Sequence, residues 1–339
     1  MTTFDVMVPV AGVLTLPFLP MLHELIRRSD VAALPIGDGP FVDQALLAAR
    51  WHDALRAHVA GTPPADVAGT PPADVPAAPP WQALGLAVQH ADAIHVARDT
   101  HRDDVLYADR TITLDDGARA AYAFADERID IRAGATVGTL AHAPLIDVDG
   151  AVLRGVVVGD TVRMRGAGGF ACLYGEPIVF GAAPGARPAD TPAAPRRAIS
   201  LTRHFASLPH RFLHGRYLLS CDVRLPAHTV VQGNLIVEGT LVLGEGCVLR
   251  GSVKAHRVEL ERHALLHGAA FARDDVLLAS GSCIDGVVSA GGLLRLTGAR
   301  IGVAGHPVSA CARDVSIVNH ACVHGDLVAW RSGWFHTSR

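Results

Sequence analysis

The chain has 339 residues, half of them apolar, and 30 basic against 33 acidic side chains leave a net charge of −3. That apolar share excludes a disordered chain and can fill a sizeable core, while the length allows two or three domains. The charge balance provides no basic field for nucleic acid. Lys254 is the only lysine, so the positive charge is almost entirely arginine. The six cysteines (Cys172, Cys221, Cys247, Cys283, Cys311 and Cys322) contain no CxxC pair, and they read as small buried apolar residues in a reducing compartment.

Residues 1–30 open the chain with 17 uncharged positions, Val6 to Leu22, followed by His23-Glu-Leu-Ile-Arg27-Arg28. Seventeen residues is the lower limit for a spanning helix, and Pro9, Pro17 and Pro20 work against a regular one. The positive charge follows the apolar core instead of preceding it, unlike a secretory signal. The segment reads as a membrane-surface anchor. Val6, Met7, Val8, Leu14, Leu16, Phe18, Leu19, Met21 and Leu22 are its lipid-facing set, with Arg27 and Arg28 at anionic headgroups. Basic residues after an apolar segment place the body on the cytoplasmic side of the membrane. An apolar arm packed on the body, or a true span, are the other readings.

Residues 31–59 contain a predicted helix from Phe41 to Val59, with Pro40 in its first turn. Leu47, Trp51, Leu55 and Val59 recur every four residues and give one apolar stripe, expected to dock on the end of the solenoid described below. Residues 60–81 form a Pro/Ala-rich linker that includes most of the octapeptide VAGTPPAD written twice, which predicts an extended spacer.

Residues 82–181 carry a first ladder: Ile112-Thr-Leu, Ile129-Asp-Ile, Ile146-Asp-Val and Val162-Arg-Met, at steps of 17, 17 and 16 residues. Residues 182–216 hold a second Pro/Ala-rich stretch and a basic-aromatic cap. In that cap Leu201, Phe205, Leu208 and Phe212 share a helical face, interrupted by Pro209. A second ladder fills 217–330. It comprises Val223-Arg-Leu, Leu241-Val-Leu, Val258-Glu-Leu, Val276-Leu-Leu, Leu294-Arg-Leu and Val315-Ser-Ile, at steps of 18, 17, 18, 18 and 21. Residues 331–339 are read as a tail.

A period near 17 marks a solenoid. Each unit alternates apolar and polar positions as a half-buried strand does. Turns at Gly117, Gly134, Gly150, Gly246, Gly281 and Gly298 supply the left-handed corners, and a second glycine set (Gly233, Gly251, Gly268, Gly286, Gly325) follows a second apolar pair. Coiled around an axis, such strands stack in parallel about 4.8 Å apart. The predicted fold is all-β: a parallel β-helix with 16 to 21 residues per rung, in two segments, behind a short helical N-terminal region.

Signals of chemistry are weak. A hexapeptide acyltransferase needs a strict six-residue period and a His base beside the acyl donor; His256 and His263 are the nearest candidates, with no inserted loop to form a cleft. Pectate-lyase-type sites need long acidic and basic loops, and Asp274-Asp275 is an isolated pair at a turn. His263/His267 and His320/His324 have four-residue spacing but straddle turns, with no acidic or Cys ligand to complete a site. Nucleotide-binding glycine loops are lacking. No catalytic, metal or cofactor residue is assigned.

The stretch Val230 to Ala299 carries Val231-Gln-Gly-Asn-Leu, Leu249-Arg-Gly-Ser-Val-Lys-Ala and Ile284-Asp-Gly-Val-Val-Ser-Ala, and Val323-His-Gly-Asp-Leu-Val-Ala follows. This pattern resembles the bactofilins, bacterial polymer-forming cytoskeletal proteins, over about 200 residues, and it is mostly the geometry of the rung. The resemblance implies a right-handed, three-sided β-helix that polymerises end to end without nucleotide. It also implies a membrane-targeting N-terminus and a role supporting envelope or polysaccharide-assembly machinery. The split ladder and the N-terminal helix and linkers depart from that family. The expected function is a non-enzymatic scaffold that self-associates end to end at the cytoplasmic membrane. Trp330, Trp334 and Phe335, just beyond the last rung, are its expected assembly interface, because terminal rungs leave ladder hydrogen bonds unused. A hexapeptide-like acyltransferase and a β-helical binding module for a glycan or envelope protein are the alternatives.

Overall fold

The computed structural model describes residues 44–61, 80–181 and 196–337, and all of them fall in one compact unit. The membrane-association residues, Val6 to Leu22 with Arg27 and Arg28, lie outside the described residues.

The architecture is a parallel β-solenoid of about 13 turns. In the first segment, β1 (Val88–Val96) lies on β2 (His101–Leu114). Above β2 come β3 (Arg119–Ala125) and β4 (Arg128–Ile131), then β5 (Thr136–His142) and β6 (Leu145–Asp149). The stack continues through β7 (Val152–Val158) and β8 (Thr161–Arg165) to β9 (Gly168–Phe180). Each rung runs as three paired stretches and so presents three sides, as at 101–102, 105–108 and 111–114 of β2.

The expected inward ladder is present. Ile112, Ile129, Ile146 and Val162 are in register from strand to strand and fully buried, and Ile178 extends the column. Alternation along each strand sends the intervening residues outward.

The second segment begins with β10 (Arg197–Ala198), the short helix α3 (Leu201–His204) and a hairpin of β11 (His210–Leu213) and β12 (Arg216–Leu219). Rungs then follow through β13 (Val223–Leu225), β14 (Thr229–Gln232), β15 (Asn234–Leu243), β16 (Val248–Arg250), β17 (Val253–Leu260), β18 (Leu265–His267), β19 (Ala270–Ala272), β20 (Val276–Leu278), β21 (Cys283–Ile284), β22 (Val288–Ile301) and β23 (Val308–His336). Val223, Leu241, Val258, Val276, Leu294 and Val315 form one buried column in unbroken register.

Two glycine ladders serve two purposes. The corner glycines take positive φ, as at Gly281 (φ +74°), where a Cβ would also lie 2.3 Å from His263 Nδ1 of the rung below. The second set allows close approach between rungs: a Cβ on Gly251 would sit 2.2 Å from the Gly233 carbonyl oxygen.

The structure corrects the expected cap in detail. Leu201 and Phe205 are buried over the first rung of the second segment, where Phe205 meets the Tyr217 ring and His204 Nε2 lies 3.1 Å from the Arg224 carbonyl oxygen. The helix itself is one turn long. Phe212 belongs to β11 and is 63% exposed, because Pro209 ends the helical face before reaching it.

Candidate functional site

The two segments meet end on end. β9, the last rung of the first, pairs antiparallel with β23, the last rung of the second. Phe335 lies opposite Gly168, Leu327 opposite Leu173, and Val323 opposite Ile178, so all three sides of the solenoid cross the junction. The expectation of an open C-terminal end is therefore corrected. The rung formed by 325–336 has its ladder satisfied within the chain, and the tail read over 331–339 is strand as far as His336.

The three predicted assembly aromatics separate accordingly. Phe335 is fully buried at the junction, 5.6 Å from Phe180 between ring centroids, and Phe180 is equally far from Phe170. It is a core residue and offers no surface to a partner. Trp330 and Trp334 remain about half exposed, with Trp334 lying over Gly169.

Sequence reasoning placed the N-terminal helix on the solenoid end. The structure places α1 (Gln44–Val59) on a side, where it covers β5 and β7. Ala48, Trp51 and Leu55 are buried there, while Leu47 of the predicted stripe is 37% exposed. The reason lies in the outward residues of that side. One column runs Val88, Val105, Tyr122, Leu140, Val156 and the next runs His90, Tyr107, Phe124, His142, Val158, Tyr174. Apolar residues on the outer face need a cover. Trp51 stacks on Tyr122 and Phe124, and Trp81, from the short helix α2 (Pro80–Ala83), packs edge-on to Trp51.

Within this apolar contact sits a polar cluster that sequence reasoning missed. His52 of α1 is 4% exposed. Its Nδ1 lies 2.6 Å from Nδ1 of His142, and its Nε2 lies 2.7 Å from Asp126 Oδ1. Tyr107 donates its hydroxyl to the same Asp126 oxygen at 3.1 Å, and Arg56 reaches it at 3.1 Å. Burial and the neighbouring His52 and Arg56 charges press His142 down to about 4. Burial lowers His52 as well, against the pull of Asp126. Asp126 resists the upward push of burial through its bonds from Arg56 and His52, and stays below the usual carboxylate range. The cluster has the ingredients of acid–base chemistry, and α1 closes over it, with His52 buried beneath the helix.

The remaining sequence candidates do not converge. His263 packs over Gly281, His267 pairs with Asp285 at 2.5 Å, and His324 lies near Cys322. Among the described residues no group of three or more His, Cys, Asp or Glu side chains could hold a metal ion. Cys283, Arg300 and Cys322 stack in one outward column, and burial pushes the Cys283 thiol up to about 11, which keeps it protonated and unreactive. Asp274 and Asp275 sit at a corner, where Asp275 Oδ1 accepts the Leu293 N–H at 2.9 Å. No helix among the described residues is long and apolar enough to cross a membrane.

These features define a parallel β-solenoid protein built from two stacks joined at their last rungs. Compared with protein-family models, curated proteins and solved structures, the chain matches none.

Proposed function

We propose that this protein is a non-enzymatic, bactofilin-like scaffold that self-associates at the cytoplasmic membrane and supports envelope or polysaccharide-assembly machinery. The observation that carries the reading is the junction, where one end rung continues the ladder of another across all three sides of the solenoid. Rung-on-rung association is thus within this sequence's repertoire. The edge left for a second copy is that of β1, which among the described residues pairs on one side only, with β2. The opposite tip is covered by α3, Phe205 and the β11–β12 hairpin.

The Val96 carbonyl accepts the Asp115 N–H at 3.0 Å on the β2 side. Alternation then turns the His95 N–H and C=O to the open side. His95→Pro removes that donor and is expected to lower the assembled mass in light scattering at matched concentration, with the β-rich circular dichroism retained. An unchanged mass sinks assembly through β1.

A specific observation favours a second reading, a monomeric binding module for a glycan or envelope protein. At the β1 tip, Gln89 projects toward the axis, where Arg102 donates to it and also pairs with Asp104. Inward polar groups are one way proteins blunt a sheet edge. A wild-type protein that stays monomeric at all concentrations selects this reading.

The membrane part rests on residues 1–30 of the sequence. Removing residues 2–30 is expected to move the protein from the membrane pellet to the supernatant, since Arg27 and Arg28 contribute roughly 1 kcal/mol each at an anionic surface. If the truncated chain pellets like the full one, the anchor lies elsewhere.

A further inference from the structure

We infer that the side-on docking of α1 is an acid-released clasp, closed by the His52–His142–Asp126 cluster. The inference stands on the geometry of that contact and does not depend on the scaffold reading.

The two imidazoles face each other Nδ1 to Nδ1 at 2.6 Å. Such a bond holds one proton, with one ring donating and the other accepting. His52 Nε2 lies against a carboxylate oxygen, so it carries a hydrogen and donates to Asp126. In the neutral cluster His142 Nδ1–H then donates to the bare His52 Nδ1. When both rings are protonated, two N–H groups point at each other across that distance, and the bond becomes a repulsion between cations.

Among the described residues no carboxylate other than Asp126 is bonded to either ring. Asp126 already serves Arg56, Tyr107 and His52. Asp53 on α1 pulls on His52 more weakly than Asp126 does. From β1, His90 stacks on Tyr107, but its Nε2 is bonded to Asp109 at 2.9 Å. From the solenoid side, Phe124 and Tyr107 pack on the rings and give no charge.

The direction follows from linkage. Docked, His142 is held down to about 4 against an ordinary 6.5. Released, both histidines regain water and their ordinary basicity. The docking contribution is therefore fully present above about pH 6.5 and is lost as pH falls toward 4. Opening would uncover the aromatic side of the solenoid (Tyr107, Tyr122, Phe124, Val158).

Hydrogen exchange of the full-length protein tests this, corrected for the intrinsic rate at each pH. Between pH 7.5 and pH 5, the peptide covering residues 44–59 is expected to lose about tenfold or more of its protection, while peptides from β4, β6 and β8 keep theirs. His142→Leu keeps the contact packed but removes one titrating ring, and its loss over the same range is expected to be clearly smaller. Protection of 44–59 that persists to pH 5 overturns the clasp. So does a His142→Leu response equal to wild type, or simultaneous loss across the solenoid strands, which would be global acid unfolding.

Discussion

Val258→Asp is expected to destabilise the second segment by about 4 kcal/mol or more, the range of an unpaired charge placed in a core. Val258 is fully buried between Leu241 below and Val276 above in the same inward column. A carboxylate there finds apolar neighbours only, so it either stays charged without a partner or takes up a proton at a cost. Repeat architectures couple each rung to its neighbours, so the damage should spread along the column. The next residue provides the contrast. Glu259 points outward into an ion pair with Arg257, and Glu259→Ala should stay within about 0.5 kcal/mol of wild type. Urea unfolding followed by circular dichroism compares them. Equal midpoints for the two variants would mean that the column is not the core.

Phe335→Ala is expected to cost about 3–5 kcal/mol, whereas Trp334→Ala, one residue away, should cost roughly 1 kcal/mol. The difference is burial: Phe335 is fully enclosed with Phe180 at the junction, and Trp334 is half exposed over Gly169. Loss of Phe335 leaves a cavity where the two stacks join, and the antiparallel pairing of β9 with β23 holds the three sides around it. Thermal unfolding of both variants is the measurement. Because the junction joins two stacks, Phe335→Ala should also separate one transition into two. A stable Phe335→Ala protein with reduced self-association would instead make this residue an interface side chain.

The ends of the stacks are not legible in the sequence. The aromatic cluster after Val328 looks like the terminus of a stack, since nothing local to Trp330, Trp334 or Phe335 says what lies above them. The pairing of Phe335 with Gly168 spans more than 160 positions and has no periodic signature. Similarly, Trp51 and Leu55 identified an apolar face, and the destination was missed. A signal was present in the strands: Val105-Leu-Tyr-Ala and Tyr122-Ala-Phe-Ala are apolar at consecutive positions, the mark of a strand covered on both faces. His142 had no such signal. It occupies a column of aromatic and β-branched residues, and only the docked helix turns it into a partner for His52.

By itself, the sequence determined the rung: its length, its three-residue inward ladders, its left-handed corners and the glycines that let rungs touch. Those properties repeat at a short period, so each copy restates the same local sterics and the same alternation of burial. Tertiary structure alone decided how the two stacks are joined, that α1 is what covers the aromatic side, and that His52, His142 and Asp126 share one proton network. These depend on single contacts between segments far apart in the chain, where neither propensity nor period constrains the outcome.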